Sequence, residues 1–109
     1  MNHFLLPLWA NEVANASWRY GNVAIEGLIR ELIARGASRN ALRAKLFGGA
    51  SVLSAPIAGE TSLGLRNVEI ARQILSAHAI PIDAESTGGD RGRKLIFQTD
   101  DGTAWVKTL

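Results

Sequence analysis

Apolar side chains recur at helical spacing in two stretches of the chain. In residues 17–35 and again in residues 65–77 they fall on one side of a helix, and polar side chains cover the other side. Gly36 follows the first stretch as a residue that ends helices, and Ser62 precedes the second as a candidate N-cap. The pattern therefore predicts two amphipathic helices, with inward side chains Trp18, Ile25, Leu28, Ile29, Leu32, Ile33, Val68, Ala71, Ile74 and Leu75.

Charged residues support the first of these helices. Glu26 precedes Arg30 by four positions, and Glu31 precedes Arg35 by the same spacing, which favours ion pairs along the outer face. His78 lies near the end of the second helix, where a cation suits the helix dipole, so we expect it to have a structural role.

Elsewhere the pattern has a period of two residues or a short apolar run. Residues 2–8 predict a buried strand ended by Pro7, and residues 42–47 alternate until Gly48 and Gly49 end a second strand. Alternation resumes at residues 80–85. Residues 95–97 and 104–106 flank an Asp-Gly turn, which is a strong hairpin signal. Residues 10–17, 54–62 and 87–92 are predicted as loops.

The order of these elements, β-α-β-α-β-β-β, predicts an α+β fold in a single domain over residues 1–109. The net charge is only +2 and the basic residues are spread along the chain, so nucleic-acid binding is not expected. No stretch is typical of a membrane span. There is no cysteine, which excludes disulfides, a thiolate nucleophile and sulfur-ligated metals within these residues.

Five blocks in order resemble the CheD family of chemoreceptor glutamine deamidases. They begin with the Asn-His-Phe-Leu-Leu-Pro start, and Trp-Arg-Tyr-Gly follows at residues 18–21. Lys-Leu-Phe-Gly-Gly-Ala at residues 45–50 and Gly-Leu-Arg-Asn-Val at residues 64–68 are similar to two further family motifs. Ile-Pro-Ile-Asp-Ala-Glu at residues 80–85, with Gly-Arg-Lys at 92–94, completes the set. The ordered set extends over nearly the whole chain.

The resemblance implies a layered sandwich of mainly antiparallel strands with two helices. It also implies hydrolysis of receptor glutamine amides by a cysteine nucleophile, with His3 as the histidine that activates it. Family members carry the cysteine in a segment ahead of that histidine, together with further strands, and this chain begins after that segment. We therefore expect the 109 residues to be inactive by themselves and to leave a sheet edge unpaired.

Other candidate residues receive simpler interpretations. Ser51 follows the glycine pair but lacks the spacing of a nucleophile elbow, so we expect a structural role. The basic residues Arg91, Arg93 and Lys94 are expected to lie on a solvated loop and strand edge; contact with an acidic receptor surface is the alternative. Two histidines without grouped carboxylates predict no metal site, and no cofactor is expected. The aromatic residues expected in the core are Trp18, Phe47 and Trp105.

The resemblance also implies partners and a location. Chemoreceptor cytoplasmic helices are the expected partner, with a CheC-type phosphatase as a second one, and the cytoplasm is the expected compartment. The unpaired sheet edge favours a homo-oligomer or a further segment that completes the sheet. The alternative to an enzyme is a binding module that contacts the same partners without catalysis.

Overall fold

A computed structural model describes residues 1–9, 16–51 and 61–109. Within them lie two helices, four strands in two small sheets and one turn of 3₁₀-helix at Arg39–Ala41, which confirms the α+β class. The predicted loops at 10–17 and 54–62 fall mostly outside the described residues. The elements are α1 (Gly21–Ala34), β1 (Ala44–Gly48), α2 (Leu63–Ala77), β2 (Ile82–Thr87), β3 (Arg93–Phe97) and β4 (Ala104–Thr108).

The strand predicted at residues 2–8 is wrong. This N-terminal segment is extended, but its only ladder contact with the described residues is an isolated bridge between Leu6 and Tyr20. Its backbone groups bind the start of α1 instead: the Gly21 N–H donates to the Leu6 carbonyl at 2.7 Å, and the Asn22 N–H donates to the Pro7 carbonyl at 3.2 Å. Two amides that a helix start leaves unpaired are thereby satisfied.

The same contacts explain why α1 begins at Gly21 and not near Ser17, as predicted. Tyr20 is the N-cap, with φ −98° and ψ 133°, and residues 16–19 stay outside the helix. Trp18 consequently lies across Gly27 and is 51% exposed, so its assignment to the core is wrong. Leu32, predicted to face inward, is 40% exposed.

Both helices end in the same hydrogen-bonded motif. After α1, the Gly36 N–H donates to the Ile33 carbonyl and the Ala37 N–H to the Leu32 carbonyl, each at 3.0 Å. This pair of bonds is the Schellman motif, and Gly36 has the positive φ of 105° that the motif requires. The prediction that Gly36 ends the helix is confirmed.

At the end of α2 an alanine takes the glycine position of this motif. The Ala79 N–H donates to the Ser76 carbonyl at 3.0 Å, and the Ile80 N–H donates to the Leu75 carbonyl at 2.9 Å. Ala79 therefore adopts φ 54°, the only positive φ of a non-glycine residue in the described chain. The turn places Ile80, 6% exposed, in the core.

Strands β1 and β2 pair in parallel, which corrects the expectation of mainly antiparallel strands. Helix α2 connects them, and a connection that contains a packed helix returns the chain in its original direction. By contrast, β3 and β4 form the antiparallel hairpin that the Asp-Gly signal predicts. At its turn, the Gln98 N–H donates to the Thr103 carbonyl at 2.8 Å, and Gly102 has φ 77°.

The core lies where the two helices meet the β1–β2 sheet. Its buried cluster confirms most of the α2 stripe, and α1 contributes two isoleucines to it. Side chains from the N-terminal segment and from β1 pack against this cluster, among them Phe4, Ala44 and Leu46. The cluster consists of Ile25, Ile29, Ala71, Leu75 and Ile80. No helix in the described ranges is long and apolar enough to cross a membrane.

Candidate functional site

Two anchors hold the N-terminal segment on either side of His3. Asn2 donates from Nδ2 to the Ala24 carbonyl at 3.1 Å. Phe4 packs on Gly21 so closely that a Cβ there would stand 2.8 Å from its ring. His3 lies between these anchors with an exposed side chain, and none of the described residues forms a hydrogen bond with its ring. The imidazole is therefore available to a reacting group or ligand.

His3 lines a groove of about 1100 Å³. One wall of this groove comes from β1 and the residues that follow it, and another comes from the start of α2. Its floor includes buried residues of the core, among them Ile29 and Leu75. The groove thus reaches the apolar side chains of the core from the side on which His3 lies.

The glycine pair after β1 meets α2 at the edge of this groove. A Cβ on Gly64 would stand 2.6 Å from the carbonyl carbon of Gly49 and 2.8 Å from the Ala50 oxygen. A Cβ on Gly49, where φ is 75°, would collide with Val68. Only two residues without side chains permit this approach of backbone to backbone. The approach explains why both sequence blocks contain glycine at these positions.

Asn67 links α2 to the segment that carries His3. Its Nδ2 donates to the Leu5 carbonyl at 3.0 Å, two residues from His3. Its Oδ1 is buried and accepts no hydrogen bond from the described residues. Ser62 caps the same helix, because its Oγ accepts from the Leu65 N–H at 3.2 Å, as predicted.

Arg93 fixes the far side of the glycine pair, and the interpretation of it as a solvated residue is wrong. It is half-buried and donates to the carbonyls of Gly48 at 3.3 Å and Gly88 at 2.9 Å, and to the Ser86 hydroxyl at 3.0 Å. One guanidinium thus joins the end of β1 to the end of β2 and to the loop that follows β2. Arg93 is two residues before Leu95, so both side chains lie on the same, inward face of β3. This alternation was the signal in the sequence that could have indicated a partly buried Arg93.

His78 lies outside the groove, and its predicted structural role agrees with its contacts. Its Nδ1 lies 2.9 Å from an Arg39 nitrogen, and its Nε2 lies 2.8 Å from Glu26. Because arginine can only donate, Nδ1 must accept and Nε2 must carry the proton shared with Glu26. Glu26 is therefore bound to His78, and the predicted ion pair between Glu26 and Arg30 is wrong. The predicted Glu31–Arg35 pair is confirmed at 3.4 Å.

Carboxylates near the sheet are held in their charged form. The side-chain hydrogen bonds of Arg43 lower the pKa of Asp83, which lies on the groove. Those of Arg72 lower the pKa of Glu85 in the same way. At the hairpin turn, the backbone N–H of Thr103 lowers the pKa of Asp101. These carboxylates are acceptors of fixed hydrogen bonds and are poorly suited to act as general acids near neutral pH.

Of the remaining candidates, Ser51 and Phe47 also line the groove. The Ser51 N–H donates to the Gly89 carbonyl at 2.9 Å, and its rejection as a nucleophile stays a prediction. Phe47 is half-buried, whereas Trp105 is 53% exposed and lies outside the core, contrary to expectation. Within the described ranges, no group of three metal-ligating side chains is present.

The residues that the structure brings together in the groove come from separate sequence blocks: His3, the glycine pair after β1, and Gly64 with Asn67. Residues 5–108 match the family model described as CheD chemotactic sensory transduction. The chain belongs to the CheD family. The match covers nearly all of the chain and agrees with the resemblance drawn from the five blocks.

Individual CheD relatives extend this result. The chain is 48% identical over 109 residues to a protein of Anaeromyxobacter dehalogenans named chemoreceptor glutamine deamidase CheD 1, and it covers 62% of that protein. It is 44% identical over 107 residues to a chemoreceptor glutamine deamidase CheD of Sulfurimonas denitrificans, covering 68% of it. A relative of that name from Stenotrophomonas maltophilia is 47% identical, with 54% of its length covered. The chain thus spans roughly half to two thirds of these CheD proteins.

Proposed function

We propose that this chain is the histidine-bearing part of a chemotaxis deamidase that hydrolyses glutamine side-chain amides of chemoreceptors. The observation that carries the proposal is the groove. In it, His3 has no hydrogen-bond partner among the described residues and lies with the Gly49–Gly64 contact and the anchoring residue Asn67. Relatives of this chain are named for that activity. A soluble receptor-facing enzyme of this kind acts in the cytoplasm.

The reaction has two steps. A thiolate attacks the carboxamide carbon, the C–N bond breaks, and His3 supplies the proton with which ammonia leaves. Water then attacks the thioester with His3 as general base, which releases glutamate and restores the thiol. The 109 residues contain no cysteine, so the thiol comes from a segment outside them. The chain by itself is therefore inactive in this proposal.

The same proposal completes the fold. The groove opens onto apolar side chains of the core, and such a surface is normally covered in a soluble domain. We propose that added strands fill it and give the layered sandwich expected from the resemblance. The greater length of the relatives supports this arrangement, because it provides the residues for such strands. Without them, the open side is a surface for pairing with a second copy.

A chimera tests the activity. The part of the Anaeromyxobacter relative that lies outside the match is fused to this chain, and ammonia release is measured with a chemoreceptor cytoplasmic fragment. We expect turnover from the chimera, none from the 109 residues alone, and a loss of about 100-fold or more for His3→Gln in the chimera. Ser51→Ala is the matched control and keeps activity. Turnover by the 109 residues alone, or an active His3→Gln chimera, would contradict the proposal.

A non-catalytic binding module is the second candidate function. The groove favours it, because its apolar lining offers a binding surface that needs no catalytic group. Its partners are receptor helices or a CheC-type phosphatase. Calorimetry with each partner separates the two functions: binding by the chain, combined with a chimera that releases no ammonia, supports the binding module. Failure to bind either partner rules it out.

A further inference from the structure

The β3–β4 hairpin presents two different faces. Leu95 and Phe97 point toward the groove, which they line. Because side chains alternate along a strand, Ile96 points away from the groove, together with Trp105, its directly paired neighbour on β4. Lys94 and Lys107 form the next rung on this same side. We call these four residues the outer hairpin face.

The centre of the outer hairpin face is apolar and open to solvent. Ile96 is 55% exposed and Trp105 is 53% exposed, although they lie opposite each other and could shield one another. Leu109, which continues the face beyond the lysine rung, is 65% exposed. Tryptophan is enriched among the few residues that supply most of the binding energy at protein interfaces.

The lysine rung has unmatched charge. Lys94 and Lys107 are direct cross-strand partners, an arrangement in which like charges repel. Neither ammonium group has an ion-pair partner among the described residues, whereas Arg43 and Arg72 are both paired with carboxylates. The rung thus carries two positive charges on neighbouring strands next to an apolar pair. An anionic ligand would relieve the repulsion.

We propose that the outer hairpin face binds an acidic helical segment of the chemoreceptor, at a second contact separate from the groove. The proposal rests on the proposed function for the identity of the partner. Rungs on one side of a strand are about 7 Å apart, and residues four apart on a helix rise by about 6 Å. A carboxylate and an apolar side chain at that helical spacing can therefore meet the lysine rung and the Ile96–Trp105 rung together.

The small number of lysines and the apolar pair beside them favour a protein ligand over an anionic membrane or a nucleic acid. Anionic membranes attract clusters of about four to eight basic residues, and this face has two lysines. Nucleic-acid binding surfaces carry many cations, whereas the net charge of this chain is +2. The exposed indole next to the lysines suits a partner that supplies both apolar and acidic groups. Since the groove lies on the other side of the hairpin, both surfaces can be occupied at once.

The test is binding of a chemoreceptor cytoplasmic fragment by calorimetry at low salt. Lys94→Glu combined with Lys107→Glu keeps like charges opposite each other, so the hairpin itself is little changed, but it reverses the charge offered to the ligand. We expect this double variant to bind at least tenfold more weakly. Arg19→Glu combined with Arg30→Glu makes the same change of net charge elsewhere and should alter the affinity by less than twofold.

A second measurement does not depend on any variant. The indole N–H resonance of Trp105, assigned in the NMR spectrum, should shift on titration with the fragment and should not shift with vesicles rich in phosphatidylserine. Equal loss of binding in both double variants, an unmoved Trp105 resonance, or no binding of the fragment would overturn the proposal. The ammonia assay on the chimera is scored separately, so an active chimera with an unmoved Trp105 rejects this contact and leaves the proposed function intact.

Discussion

The peptide backbone at Gly49 lies directly against Gly64, and neither position has room for a side chain. A Cβ on Gly64 would stand 2.6 Å from the Gly49 carbonyl carbon, and one on Gly49 would also meet the Gly64 oxygen at 2.8 Å. This contact joins the end of β1 to the first turn of α2 at the edge of the groove. The separation of these two elements, and with it the width of the groove near His3, depends on both glycines.

Two alanine substitutions separate the energetic cost of losing the close contact from the cost of backbone strain. Gly49→Ala combines a positive φ with a collision, and we expect it to lower the free energy of unfolding by about 2–4 kcal/mol. Gly48→Ala is the control, because Gly48 also has a positive φ, of 117°, but has open space around it. It should cost about 1–2 kcal/mol. Equal losses for the two variants in urea denaturation would show that the close approach contributes nothing.

Ala79 offers a stabilising substitution. Its φ of 54° is unfavourable for a residue with a Cβ, and the hydrogen bonds of the motif require it. Ala79→Gly should raise the free energy of unfolding by about 0.5–1 kcal/mol, which a thermal melt would detect. Ala77→Gly, two residues earlier and inside α2, is the control and should lower it by about 1 kcal/mol. A lower melting temperature for Ala79→Gly would refute the strain at this position.

Carboxylates predict how stability depends on pH. The pKa values of Asp83, Glu85 and Asp101 are lowered in the folded chain by hydrogen bonds from Arg43, Arg72 and Thr103 respectively. Groups with a lowered folded pKa contribute stability above their unfolded pKa and lose it as pH falls through the folded value. Stability should therefore be level between about pH 7 and 5 and decline below about pH 4.

Variants with neutral side chains test which carboxylates cause the loss of stability at acidic pH. Asp83→Asn combined with Glu85→Gln should reduce stability at pH 7 and make the loss below pH 4 shallower in urea titrations at several pH values. Glu69→Gln, at an exposed residue that has no ion pair in the described structure, should leave the profile unchanged. An identical acid slope in the Asp83/Glu85 double variant would show that these two groups do not cause it.

Repulsion within the lysine rung can be measured without any ligand. Lys94→Glu places opposite charges across the hairpin, and we expect it to raise the free energy of unfolding by about 0.2–1 kcal/mol. Lys107→Glu should do the same, and the double variant should return to the stability of the parent chain because the charges again match. Additive effects of the two substitutions in thermal melts would contradict direct coupling between Lys94 and Lys107.

The sequence by itself determined the elements that local chemistry specifies. The periodic apolar residues of α2 indicated its buried face, Ser62 and Gly36 marked helix ends, and the Asp-Gly pair identified the hairpin. The ordered blocks also indicated the family, because each block keeps its residues close together in the chain. These signals need no knowledge of distant neighbours, since caps and turns satisfy backbone groups only a few residues away.

Only the tertiary structure decided which partners the remaining groups take. Residues 2–8 have the pattern of a buried strand, yet the carbonyls of Leu6 and Pro7 accept from the start of α1, because that helix presents free amides beside them. Glu26 binds His78 and leaves Arg30, since packing α1 against α2 brings the ring within 2.8 Å. Arg93, which the sequence suggested to be solvated, joins the last residue of β1 to the loop after β2. Choices among long-range partners depend on spatial proximity, which no local pattern encodes.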